Sequence, residues 1–203
     1  MRLADVRKSV AQMTLAEIRQ VDVGRKFSPA FAGERLPTLR EVIAFARDRI
    51  RLNIELKYYG KDRGLAAKVA RLIRDENFED QCVVMSLDYD AVMEAKRHNP
   101  RLKTGHIVAY AVGNLSQLDV DVLSIRADLL SDRLLRAARR QGKQIHVWTV
   151  NDPRAMARLI EEGADNIITD DPETMVRVRR EREELNDVER LVLTARHLLG
   201  LGP

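Results

Sequence analysis

The sequence has little of several things, and each scarcity excludes something. It holds one cysteine, Cys82, so no disulfide can form within the chain and a reducing compartment suits it. Cys82 lies in an apolar run, the setting of a small buried hydrophobe. No stretch reaches the ~18 consecutive apolar residues of a membrane span. The opening Met1–Lys8 carries charge with no apolar region behind it, so it does not read as a signal peptide. These two absences predict a cytoplasmic location. Aromatic residues are 4% of the chain and the net charge is only +4. The excess cations are arginines scattered along helical stretches, without the aromatic interleaving of a nucleic-acid surface, so no nucleic-acid partner is expected. His98, His106 and His197 have no neighbours at metal-ligand spacing. No Gly-x-Gly-x-x-Gly, phosphate loop, Gly-x-Ser-x-Gly or Cys–His arrangement stands out.

What is present is a core and a rhythm. Apolar residues make up 45% of 203, enough for one sizeable domain. Met13–Gln20 reads as a short helix with Thr14 and Glu17 as a capping box, and a second helix starts at Thr38 with Glu41 in the same position. Asp22–Arg35, with Gly24, Pro29 and Gly33, reads as a loop. Candidate strands then follow at 51–57, 81–87, 103–109, 120–126, 144–150 and 166–170. Most gaps between them carry helical periodicity with clear ends. Ser131 caps one helix and Gly142 stops it; Asp152-Pro153 opens the next and Gly163 closes it; Asp171-Pro172 opens the last. Alternating strand and helix predicts parallel strands joined by crossover helices. An open doubly wound sheet and an eight-stranded barrel missing its beginning both fit that cadence.

Arg51–Gly60 is the most informative stretch. Leu52, Ile54 and Leu56 alternate with Asn53, Glu55 and Lys57, so one face of the strand is apolar and the other carries an amide, a carboxylate and an ammonium. A carboxylate is the right ligand for Mg²⁺ or Ca²⁺, although such ions usually take more than one. An ammonium beside it suits a phosphate. A structural Glu–Lys pair on an edge strand with one wet face explains the same pattern. In Gln144–Asn151, Gln144, His146 and Trp148 share a face; Trp148, the single tryptophan, suits either stacking on a sugar-like substrate or core packing, and His146 reads as a core histidine. Asn166–Pro172 ends a strand with Asp171 as helix cap and Asp170 left over. Ser86 either touches a ligand or caps the helix that follows. After residue 172 the chain changes: Arg177–Glu184 is almost all charge, then Leu185, Val188, Leu191, Val192, Ala195, Leu198 and Leu199 recur at helical spacing. That pattern predicts a terminal helix packed on its own domain, or one that binds a partner.

Four ordered stretches resemble the glycerophosphodiester phosphodiesterase family. They are Asp22-Val23-Gly24 through Phe27-Ser28-Pro29, Phe31-Ala32-Gly33-Glu34-Arg35 and Leu36-Pro37-Thr38-Leu39; then Asn53-Ile54-Glu55-Leu56-Lys57; then Gly142-Lys143 with Val147-Trp148-Thr149-Val150-Asn151; and Gly163–Asp170 with Pro172. The resemblance implies a parallel (β/α) TIM-type barrel over residues 1–172, incomplete at its N-terminus, with 173–203 as a C-terminal helical extension. It implies hydrolysis of glycerophosphodiesters to glycerol 3-phosphate and an alcohol, with a divalent cation (Mg²⁺ or Ca²⁺) held by three carboxylates. Glu55 matches one of the three, Lys57 the lysine beside the phosphate, and Trp148 the tryptophan near the glycerol. The family's other two carboxylates and its proposed acid–base histidines belong to His-Arg-Gly, Glu-x-Asp and His-Asp motifs that this sequence does not contain. The expectations are therefore no catalytic histidine, a weakly held cation and little or no turnover. The other reading is a non-catalytic module that binds a phosphodiester or a partner protein. Exposed sheet edges or the C-terminal helix would provide for a homo-oligomer.

Overall fold

A computed structural model describes residue 4 and residues 6–58, 64–110 and 113–184. The two capping boxes form as the sequence predicts. Thr14 caps α1 (Leu15–Arg19) and Thr38 caps α2 (Leu39–Ala46), each exchanging bonds with the Glu three residues on, an arrangement worth roughly 1 kcal/mol per cap. All six expected strands are found, each shorter than its periodicity suggested: β1 (Leu52–Glu55), β2 (Cys82–Ser86), β3 (Lys103–Val108), β4 (Val122–Arg126), β5 (Gln144–Trp148) and β6 (Asn166–Ile167). Between them lie α3 (Leu65–Asp75), α4 (Tyr89–His98), α5 (Asp132–Arg140) and α6 (Pro153–Glu162), and α7 (Pro172–Glu183) follows β6.

The strand order decides between the two architectures. The sheet runs β1-β2-β3-β4-β5-β6, and every described pair is parallel. A doubly wound sheet reverses its order at a switch point. This one never reverses, so successive crossovers of one hand curl it into a half-barrel of the TIM type.

Alternation then sorts the side chains. One face sends Leu52, Ile54, Cys82, Val84, Leu123, Ile125, Ile145 and Val147 outward to the helices, where two apolar clusters form. The first gathers α2, α3 and α4 over β1 and β2 through Ile43, Val69, Ile73 and Ala91, with Phe78 fully buried among them. The second gathers α5 and α6 over β4 and β5 through Leu135, Ala138, Met156 and Leu159. Cys82 is buried in the first cluster, and burial pushes its thiol pKa up to about 12, so it is an inert packing residue. The other face is concave and more polar. Following the register, it carries Asn53 and Glu55; Val83 and Met85; Gly105 and Ile107; Val122, Ser124 and Arg126; Gln144, His146 and Trp148; and Asn166.

The helix stops also follow the sequence. Gly163 ends α6 at φ +86°, a left-handed conformation that glycine adopts without strain. The predicted boundary at residue 172 falls on the first residue of α7, which rests on α6 through the buried Val178 and an Arg182–Glu161 ion pair. The apolar recurrence from Leu185 to Leu199 lies outside the described residues. Among those described, no helix is long and apolar enough to cross a membrane.

Candidate active site

Glu55 ends β1 and Lys57 follows it on the same face. Their charged ends lie 3.9 Å apart, and both side chains are about half exposed. Leu56, between them, points the other way and is buried, so the apolar anchor and the polar pair are set by one alternation. Among the described residues β1 is an edge strand of the sheet, and its wet face is the inner one.

Ser86 holds this end of β1 in place. Its Oγ donates to the Leu56 carbonyl at 2.7 Å and accepts from the Asp88 amide at 3.1 Å. Asp88 in turn caps α4. Ser86 lies on the outward face and is buried. Of its two expected roles, ligand contact is therefore excluded, and its contact with the helix is one step removed from the cap. It is a tie between two strand ends.

Trp148 ends β5 on the inner face, half-buried, two residues above His146. Its indole Nε1 is buried and finds no acceptor among the described residues. Stranding such a donor costs about 1–3 kcal/mol, and a ligand oxygen at the mouth would recover it. His146 is buried; its Nδ1 lies 3.5 Å from the Asn166 amide nitrogen. Burial pushes its pKa down, with Asp165 opposing in part, so it stays neutral deep in the half-barrel, as a core histidine does.

The leftover Asp170 finds a partner. Its carboxylate accepts from Asn151 Nδ2 at 2.9 Å, while Asn151 Oδ1 accepts from the Asp170 amide at 2.9 Å and from Thr169 Oγ1 at 3.0 Å. One asparagine thus laces the loop after β5 to the loop after β6, and so braces the strand that carries Trp148. Asp171 caps α7 through the Thr174 amide. Two inner-face residues escaped the sequence reading: Ser124, whose Oγ is buried with no partner among the described residues, and Arg126, in register with Trp148. The signal was available, since Val122, Ser124 and Arg126 alternate with Leu123 and Ile125. It was masked by the near-continuous apolar run that fully covered strands show.

The profile of the glycerophosphoryl diester phosphodiesterase family matches residues 1–174. The chain belongs to this family. It is 33% identical over 182 residues to a glycerophosphodiester phosphodiesterase of Caldanaerobacter subterraneus, covering 84% of this chain and 73% of that protein. It is 29% identical over 175 residues to a putative one of Bacillus subtilis, covering 83% and 72%. Among solved structures, the half-barrel superposes on a Parabacteroides distasonis glycerophosphodiester phosphodiesterase with a TM-score of 0.76 at 24% identity, over 89% of this chain and 76% of that one. An Oleispira antarctica phosphodiesterase in complex with the product sn-glycerol-3-phosphate matches with a TM-score of 0.75 at 23% identity, over 88% and 75%. At those identities the structures establish the fold.

Glycerophosphoryl diester phosphodiesterases are hydrolases of phosphoric diesters and depend on a divalent metal. Among the described residues, no group of three or more His, Cys, Asp or Glu could hold a metal ion. Glu55 stands with a lysine beside it, which lowers the charge a cation would feel. The described donor set does not fit the family's metal centre.

Proposed function

We propose that this chain serves the hydrolysis of glycerophosphodiesters to glycerol 3-phosphate and an alcohol, and that its own side chains form the substrate-holding part of the site. Lys57 meets the phosphate as a point charge. Trp148 lies against the glycerol. Glu55 is the carboxylate offered to Mg²⁺ or Ca²⁺.

The observation behind this reading is that the two strand ends bearing these groups open on one inner face. Glu55 shares its register row with Met85, Gly105, Val122 and Gln144. A TIM-type barrel of eight strands has a shear of about eight, so the residue at constant height advances by about one per strand. Four strands on, the level of Glu55 has moved from Gln144 to about Trp148. In such a barrel the stagger that makes Glu55 and Trp148 distant in register would bring them to one height, which supports placing both at the site.

Turnover by this chain is expected to be slow. A single carboxylate holds a hard divalent cation weakly, and each missing acid–base group forfeits about 10²–10⁴-fold. That deficit supports a second reading, in which the chain binds a phosphodiester without cleaving it. Residues 1–172 are then the barrel unit and 173–203 an extension to it.

Two measurements test the proposal together. Calorimetric titration with sn-glycerol 3-phosphate is expected to show binding that weakens about tenfold in Lys57→Ala, the loss of one charge-assisted contact, and in Trp148→Ala. A coupled assay for released glycerol 3-phosphate, with Mg²⁺ or Ca²⁺ present, is expected to show little turnover. Unchanged binding in both variants would refute the assignment; rapid metal-dependent turnover would refute the binding-only reading.

A further inference from the structure

Arg126 is the last residue of β4, and Trp148 is the last of β5; the two are register partners. Their Cα atoms are therefore neighbours on adjacent strands, about 4.8 Å apart in the sheet, on the same inner face. The Arg126 guanidinium is held from one side. Its Nε donates to Asp128 Oδ1 at 3.0 Å and its Nη2 to Asp128 Oδ2 at 2.7 Å. This two-point fork fixes the plane of the guanidinium and leaves the Nη1 donors uncommitted among the described residues. On the neighbouring strand end is Trp148, whose buried indole N–H has no acceptor among the described residues, and one row deeper is the buried Ser124 hydroxyl, also without a partner there. Buried polar groups are almost always paired. Here two unpaired ones and a pre-set guanidinium edge lie on two adjacent strand ends.

We propose that Arg126 and Trp148 together form a two-donor subsite for the hydroxyl oxygens of the substrate's glycerol, with Asp128 as the residue that positions the guanidinium. This rests on the reading given above that Lys57 takes the phosphate and Trp148 the glycerol. The Arg126–Asp128 pair carries no net charge, so the subsite adds little general attraction for anions. What it supplies is aimed N–H donors, and such sites discriminate strongly against an analogue that lacks the matching hydroxyl, because their donors are then left unpaired.

The test compares two phosphate esters of similar size, sn-glycerol 3-phosphate and n-propyl phosphate, by calorimetry on the full chain. The wild type is expected to prefer the glycerol ester by at least about tenfold. Arg126→Gln should collapse that preference while n-propyl phosphate binds as before; Trp148→Phe, which also changes the ring that packs on the substrate's carbons, should weaken both esters and the glycerol ester by more. Trp148→Phe keeps a six-membered aromatic ring but removes the N–H together with the five-membered ring that bears it. Asp128→Asn should reduce the preference in part, again without changing n-propyl phosphate. Loss of both esters alike in Arg126→Gln would mean a structural role and would overturn the proposal. So would a wild type that binds both esters equally while Lys57→Ala weakens both; the Lys57 reading would then stand alone. If neither ester binds the wild type, the phosphate reading falls, and this subsite falls with it.

Discussion

Two serines of one sheet, on β2 and β4, offer a sharp test of how the site is held. Ser86 and Ser124 are both buried, at 2% and 1% exposure, and share the same chemistry. They differ in what their hydroxyls meet. Ser86 bridges the Leu56 carbonyl and the Asp88 amide, whereas Ser124 Oγ has no partner among the described residues. Ser86→Ala strands a buried carbonyl and weakens the entry to α4. Leaving one such group unpaired costs about 1–3 kcal/mol, so a loss of about 2 kcal/mol is expected. For a domain of this length that lowers the melting temperature by roughly 4–8 °C. Ser124→Ala removes a hydroxyl that was desolvated without compensation; the expected change lies between zero and about 1 kcal/mol of added stability. Paired urea denaturation of both variants, read by circular dichroism, makes the comparison. Equal shifts in the two would refute the hydrogen-bond argument, because simple loss of an oxygen atom would then explain both. Ser86→Ala should also weaken sn-glycerol 3-phosphate, since it frees the strand end that carries Lys57, and this loss should exceed any caused by Ser124→Ala.

Three further outcomes follow from other parts of the molecule. Asp22 accepts from the amides of Arg25, Gly33 and Gly24, which hold its carboxyl at about pH 2. A depressed carboxyl stabilises the fold above its unfolded pKa, near 4, and loses that contribution as pH falls through about 2. Amide shifts of Gly24 and Gly33 in the folded protein should therefore titrate with a midpoint near pH 2, and in Asp22→Asn they should stay flat. Gly24→Ala should unfold the 22–35 loop and expose it to protease, because a Cβ there would lie 2.0 Å from the Phe31 carbonyl oxygen; a variant as resistant as the wild type would contradict this. Mg²⁺ or Ca²⁺ should bind with a dissociation constant weaker than about 10⁻³ M, and a chelator should leave the melting temperature unchanged. Micromolar binding would show that the described donors are better placed than the geometry indicates.

The sequence alone determined the local vocabulary of this protein. Thr14–Glu17, Thr38–Glu41, Asp152-Pro153 and Asp171-Pro172 are contacts between near neighbours, and their geometry is fixed by the backbone within a turn. The alternation around Glu55 and Trp148 gave their shared polar faces for the same reason. Four ordered motifs were enough to point to the family, and the profile match over residues 1–174 agrees. The strand cadence by itself fitted an open sheet or a barrel, because strand order depends on which way each crossover returns; the four motifs pointed to the barrel, and the unreversed parallel order bears that out. Sequence missed Arg126, whose proposed role depends on a neighbour 22 positions away on another strand. It left Asp170 unassigned, since its partner Asn151 belongs to a different loop. It also could not tell Ser86 from Ser124: both end or interrupt apolar strands, and only the register of the neighbouring strands decides which hydroxyl finds a carbonyl and which finds no partner among the described residues.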